Sequence, residues 1–152
     1  MKQFILLLLI TSTNLMFAQS KDPIGLNSNI ENGIAIQGYD AVAYFNKQAV
    51  KGSKKFRANH RGIIYHFSSE ANKLAFLKNP SKYEPMYGGW CAYAMGDNGE
   101  KVDIDPETFK IIDGKLYLFY NAYFNNTLNS WNKDEKNLKN KANNNWSKLL
   151  KK

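Results

Sequence analysis

The stretch FRANHRGIIYHFSSEANKLAFLKNP, residues 56–80, decides the fold class. Residues 56–58 and 63–67 are short apolar and aromatic runs on either side of Asn59-His60-Arg61-Gly62, and the glycine permits a tight turn. The segment therefore reads as a β-hairpin. In its second strand Ile63, Tyr65 and Phe67 share one face while Ile64 and His66 share the other. With the Tyr and Phe turned inward, His66 falls at the surface or in a cleft. Ser68 or Ser69 then caps a helix that runs to about Asn79, with Ala71, Leu74, Ala75 and Leu77 on its buried side, and Pro80 ends it.

Outward from this segment the same mixture continues. Residues 41–46 (AVAYFN) read as a short strand. Residues 109–112 and 115–120 flank Asp113-Gly114, the best hairpin signal in the chain. Residues 132–150 read as an amphipathic helix whose apolar stripe is Leu138, Ala142, Trp146 and Leu149, opened by a capping-box pair of Asn132 and Glu135. No repeat and no long linker divides the chain. The expectation is a single α+β domain of small antiparallel hairpins, a short central helix and a C-terminal amphipathic helix.

The chain has 152 residues and a formal charge of +8, with one cysteine and two histidines. One cysteine excludes an internal disulfide and any zinc site built from several thiolates. A basic start, an apolar run from Phe4 to Ile10 and a small residue at Ala18 form the pattern of a signal peptide over residues 1–18. The apolar run is too short to span a bilayer. Residues 19–37 then read as a polar leader and 38–150 as the domain. Export to a periplasmic or secreted location is the expectation. Seven lysines against Asp134 and Glu135 give the last 20 residues a net +5. The rest of the exported part is nearly neutral, which disfavours nucleic acid as a partner. Weak contact of the lysine-rich helix with an anionic membrane surface fits the pattern, and so does an unidentified protein partner.

Cys91 follows Gly88-Gly89-Trp90, where glycines let the backbone turn tightly around the sulfur. A thiolate is a soft ligand suited to copper in its Cu(I) state, and His66 and Met95 are the leading companions, with Met86 and His60 behind them. Met95 lies four residues on and shares a face with Cys91 only if that stretch is helical. The alternative is a buried, inert cysteine in an aromatic core. A thiol nucleophile with His66 as base is disfavoured, because no nucleophile elbow or oxyanion turn accompanies it. Asp103 and Asp105 alternate as a hard-cation pair would, without matching a calcium loop. They read as solvated acids.

Tyr65-His66-Phe67-Ser68, then Phe76, Pro80 and Tyr83, resembles the YHS-domain family. Around that core, Gly38-Tyr39-Asp40-Ala41-Val42-Ala43-Tyr44-Phe45 is similar to the opening of exported YHS proteins. So are Tyr87-Gly88-Gly89-Trp90-Cys91-Ala92, Asp105-Pro106, Asp113-Gly114-Lys115-Leu116-Tyr117-Leu118, Trp131 and the closing run from Ala142 to Trp146. The resemblance covers residues 38–146. It implies an association with heavy-metal handling, since some YHS domains sit on copper-transporting ATPases and monooxygenases. In the metal-binding short forms three cysteines fall at positions that here are Ala43, Ser68 and Asn72. Any metal site in this chain is therefore a different one, centred on Cys91, or there is none. No catalytic role is implied.

Overall fold

A computed structural model describes residues 22–152. The expected signal segment and the first three leader residues lie outside the described residues. Helix α1 (Pro23–Asn27) opens where the Asp22 carboxylate accepts the Ile24 N–H at 3.0 Å. Strands β1 (Ile30–Glu31) and β2 (Ile34–Ala35) follow as a small hairpin. The long hairpin is β3 (Ser53–His60) and β4 (Ile63–Phe67), and β2 runs parallel to β4 through Ile34 and Ile64. The sheet order is β1-β2-β4-β3. The segment expected to be a polar leader thus contributes two strands to the main sheet.

After this sheet come α2 (Glu70–Lys78), α3 (Pro80–Tyr83) and α4 (Ala92–Asp97). A second hairpin follows, β5 (Asp105–Ile112) with β6 (Lys115–Phe119), turning at Asp113-Gly114 as the sequence signals. The short pair β7 (Asn121–Ala122) and β8 (Asn125–Asn126) leads into α5 (Thr127–Lys133) and α6 (Glu135–Leu149). The fold class is α+β, as expected.

Strand β6 explains how the core is divided. Leu116 and Leu118 point into one cluster with Tyr44, Phe67 and Phe76, while Tyr117 and Phe119 point into another with Tyr87 and Trp131. Alternate residues of a strand face opposite sides, so a strand buried on both faces reads as a continuous apolar run. The second cluster is closed by α6, whose Leu138 and Ala142 are buried against it with Trp146 and Leu149 packed alongside. Lys136, Lys141 and Lys148 face out from the same helix. Gly96 of α4 permits the close α4–α6 approach, since a Cβ there would sit 2.6 Å from the Leu138 carbonyl oxygen. Among the described residues no helix is long and apolar enough to cross a membrane.

Four local expectations are corrected. Residues 41–46 form no strand; Ala43–Asn46 is a 3-10 helix, stopped by Lys47 at φ 61°. The buried face of α2 is also different: Leu74 and Leu77 are 58% and 46% exposed and Ala71 is exposed, while Phe76 is completely buried. Phe76 packs against Tyr65, Phe67 and His60, and Asn72, one turn earlier, faces the buried Asp40. Residues four apart share a helix face, so these two anchors turn Leu74 and Leu77 away. Pro80 ends α2 but also occupies the first turn of α3, where its missing N–H is no loss.

The C-terminal helix is two helices broken at Asp134, whose φ is −147°. Asn132 and Glu135 do not form a capping box. Both accept from Lys110 on β5, and Glu135 also accepts from the Trp131 indole N–H. Those tertiary partners outcompete the local cap.

The two-residue loop between β7 and β8 is Tyr123-Phe124, at φ 52° and 64°. Both central residues are left-handed, the geometry that ordinarily selects Asn-Gly. Here two aromatic rings occupy it, Tyr123 at 91% exposure and Phe124 fully exposed. Left-handed backbone costs a non-glycine residue roughly 1–2 kcal/mol, and neither ring recovers that by burial. Replacing the pair by Asn-Gly (Y123N with F124G) is expected to stabilise the fold by about 1–2 kcal/mol in urea denaturation. Destabilisation would mean that the rings pack.

Candidate functional site

The turn that delivers Cys91 is built from left-handed backbone. Tyr87, Gly88 and Gly89 have φ of 55°, 61° and 86°. A Cβ on Gly88 would come within 2.9 Å of the Trp146 ring and 3.0 Å of Ser28 Cα, so only glycine fits between α6 and the end of α1. The Cys91 N–H donates to the Val102 carbonyl at 2.9 Å, and its carbonyl accepts the Met95 N–H, placing Cys91 at the head of α4.

The sulfur is completely buried. The Tyr120 N–H donates to it at 3.3 Å, and the Thr127 hydroxyl lies 3.4 Å away. The single hydroxyl proton of Thr127 goes to the Tyr120 carbonyl at 2.8 Å. The thiol must therefore be the donor to Thr127 Oγ1. Sulfur, hydroxyl and the Tyr120 peptide close a ring in which each polar group is used.

The expected companions do not join this ring. Met95 is one turn along α4, so the helical condition for a shared face is met. Its side chain, however, packs in the cluster with Phe119 and Trp131, whereas Cys91 packs in the cluster with Leu116 and Leu118. Met86 is partly buried beside that second cluster and lines a cavity of about 160 Å³ with Tyr65, Arg61 and Glu84. His60 sits against the Phe76 ring edge, its Nε2 buried and 3.4 Å from Glu84 Oε1 without a hydrogen bond. Arg61 reaches from the same turn to Asp22 at 3.1 Å, tying α1 to the hairpin. Among the described residues no group of three or more His, Cys, Asp or Glu side chains could hold a metal ion. Asp103 Oδ1 accepts from Asn29, and Asp105 caps Glu107 and Thr108, so each acid serves a local turn.

Ala43, Ser68 and Asn72 do come together, around Asp40. This carboxylate is completely buried. Its Oδ1 accepts the N–H groups of Val42 and Ala43 at 2.9 and 3.3 Å. Its Oδ2 accepts the Ser68 N–H, the Ser68 hydroxyl and the Asn72 side-chain amide at 2.8, 2.6 and 2.7 Å. Sequence reasoning passed over Asp40 as a site. The available signal was a lone acid between Tyr39 and the apolar run 41–45.

His66 lies in a separate place, on the wall of a cleft between the β1–β2 hairpin and residues 51–54. It is only 7% exposed, and its ring makes no hydrogen bond among the described residues. Burial lowers its pKa below the ordinary histidine value, and the nearby charges of Lys54, Arg57 and Lys51 lower it further. Glu31 is on the cleft wall as well.

No family model, curated protein or solved structure matches the chain.

Because the folded state resists protonating His66, its contribution to stability is complete above the unfolded value, about pH 6.5, and is lost as pH falls through the lower folded value. The stability difference between wild type and His66→Gln should therefore shrink in favour of the variant between about pH 7 and pH 5. Urea midpoints measured across that range test this, and a constant difference would contradict it.

Proposed function

We propose that the chain is an exported, non-catalytic recognition module of the YHS type, in which Cys91 is a structural thiol. The observation that carries this reading is the closed ring of hydrogen bonds around the sulfur. A nucleophile needs a thiolate, a neighbouring base and access. Cys91 has its proton engaged, His66 in another cleft and no exposure. A soft-metal site centred on Cys91 would need further ligands at the sulfur, and its near partners are the Tyr120 N–H and the Thr127 hydroxyl.

Three other features support the reading. The N-terminal pattern of residues 1–18 favours export. The family resemblance maps its missing thiols onto Ala43, Ser68 and Asn72. These three residues donate to or adjoin a carboxylate that already accepts five hydrogen bonds. Finally, the Tyr123-Phe124 tip displays two aromatic rings on backbone that neither ring stabilises, as expected of residues kept for contact with a partner.

A soluble aromatic disulfide reagent should label folded Cys91 at least ~1,000-fold more slowly than the urea-unfolded chain, since labelling must wait for opening of the core. Under reducing conditions, Cys91→Ala should leave any Cu(I) uptake unchanged. Labelling of the folded protein within mixing time would overturn the proposal, as would one tight Cu(I) equivalent that disappears in Cys91→Ala.

A further inference from the structure

The cleft at His66 has a volume of about 330 Å³, within the range of small-molecule sites. Its charge is one-sided. Lys51 and Lys54 line it, and Arg57 on the same strand adds its field at the imidazole. Neither Lys54 nor Arg57 has an acidic ion-pair partner among the described residues, and Glu31 is the single acid on the wall. Like charges gathered around one recess repel one another unless a counter-charge enters.

The imidazole adds a directional group. The residue is more than nine-tenths buried, and its ring has no hydrogen-bond partner among the described residues. His66 lines the cleft, so an acceptor placed there is within reach of a ring nitrogen that no side chain or backbone group engages. Its proton affinity is depressed by burial and by the three cations, so at neutral pH it is uncharged and offers one N–H.

The walls are fixed in advance. Ile36, Gln37 and Gly38 are consecutive left-handed residues, at φ 50°, 49° and 82°. For a β-branched isoleucine that is a true outlier, and such strain gathers at ligand clamps. The Lys51 ammonium holds this backbone by donating to the Gln37 carbonyl at 2.6 Å, and the Gln37 amide donates to Ile104 O at 2.9 Å. Gly38 and Gly52 bring bare backbone against His66. A Cβ on Gly38 would sit 3.4 Å from its Nδ1, and one on Gly52 would sit 2.5 Å from its carbonyl carbon. The recess therefore has rigid walls, a held lysine, a free lysine and an unpaired imidazole.

We propose that this cleft binds a compact oxyanion of the phosphate class, with Lys54 and Lys51 supplying charge and the His66 imidazole supplying a hydrogen bond. The proposal rests on the reading of the chain as a recognition module and names its ligand chemistry. It is independent of how Cys91 reacts, so failure here and failure of the thiol-protection experiment are distinguishable.

The test is a titration of the full folded protein with inorganic phosphate at constant ionic strength, following the His66 ring resonances by NMR with His60 as the internal reference. The expected result is a saturable shift at His66 and not at His60, with half-saturation at millimolar phosphate or below. Lys54→Ala should weaken binding about tenfold, the loss of one charge-assisted contact. Lys54 is exposed and has no partner, so this variant should fold normally. Bound phosphate should also raise the His66 pKa against the opposing fields of Lys51, Lys54 and Arg57, with Glu31 working in the same direction as the ligand. Glycerol phosphate serves as a second arm. Equal binding would identify a phosphate monoester terminus as sufficient, and binding of inorganic phosphate alone would identify the free ion. Absence of a saturable His66 shift with either probe, or an unchanged affinity in Lys54→Ala, would overturn the proposal.

Discussion

The Asp40 carboxylate is the constraint on which the rest of the structure depends. A buried charge is tolerated only when its lone pairs are satisfied, and here five donors converge on two oxygens. Those donors come from three places: the turn at residues 42–43, the end of β4 at Ser68, and α2 at Asn72. Satisfying one side chain therefore fixes the path of the chain before the long hairpin, the exit from that hairpin and the rotation of the following helix. Phe76 then drops into the core one turn beyond Asn72, and the first hydrophobic cluster closes over it.

That constraint also explains which parts of the fold were legible in the sequence. Both long hairpins were, because Gly62 and Gly114 mark turns between alternating apolar runs, a purely local signal. The rotation of α2 was not. Its most apolar stripe includes Leu74 and Leu77, yet a polar contact between Asn72 and an acid 32 positions earlier turned those leucines outward. The same acid holds the start of residues 41–46, where Ala43–Asn46 is a 3-10 helix although the composition suggests a strand. At residues 132–135 a plausible cap was displaced by Lys110, which is distant in sequence. Long-range polar contacts leave no periodicity to read.

The candidate sites divide along the same line. Strand alternation puts His66 at the surface or in a cleft, and it lies on a cleft wall. Its cationic surroundings come partly from Lys51 and from strained backbone at residues 36–38, which no pattern announced. Cys91 stood out as the lone thiol beside a glycine pair. The sequence could not show that Thr127 and the Tyr120 peptide would close around it, because they come from the residue just after β6 and the first residue of α5. The Cys91 sulfur lies sealed in the cluster with Leu116 and Leu118, and the open, charged recess is elsewhere. The net positive charge divides likewise, with lysines on the outer face of α6 solvated and those near His66 gathered around a cavity.

The dependence of the fold on Asp40 is tested by the unfolding free energy of Asp40→Asn. The amide keeps the volume but replaces one accepting oxygen with a donor that faces other donors. A loss of about 3 kcal/mol or more is expected at neutral pH. A loss below about 1 kcal/mol would place Asp40 among contacts of ordinary surface strength and show that the fold does not depend on it.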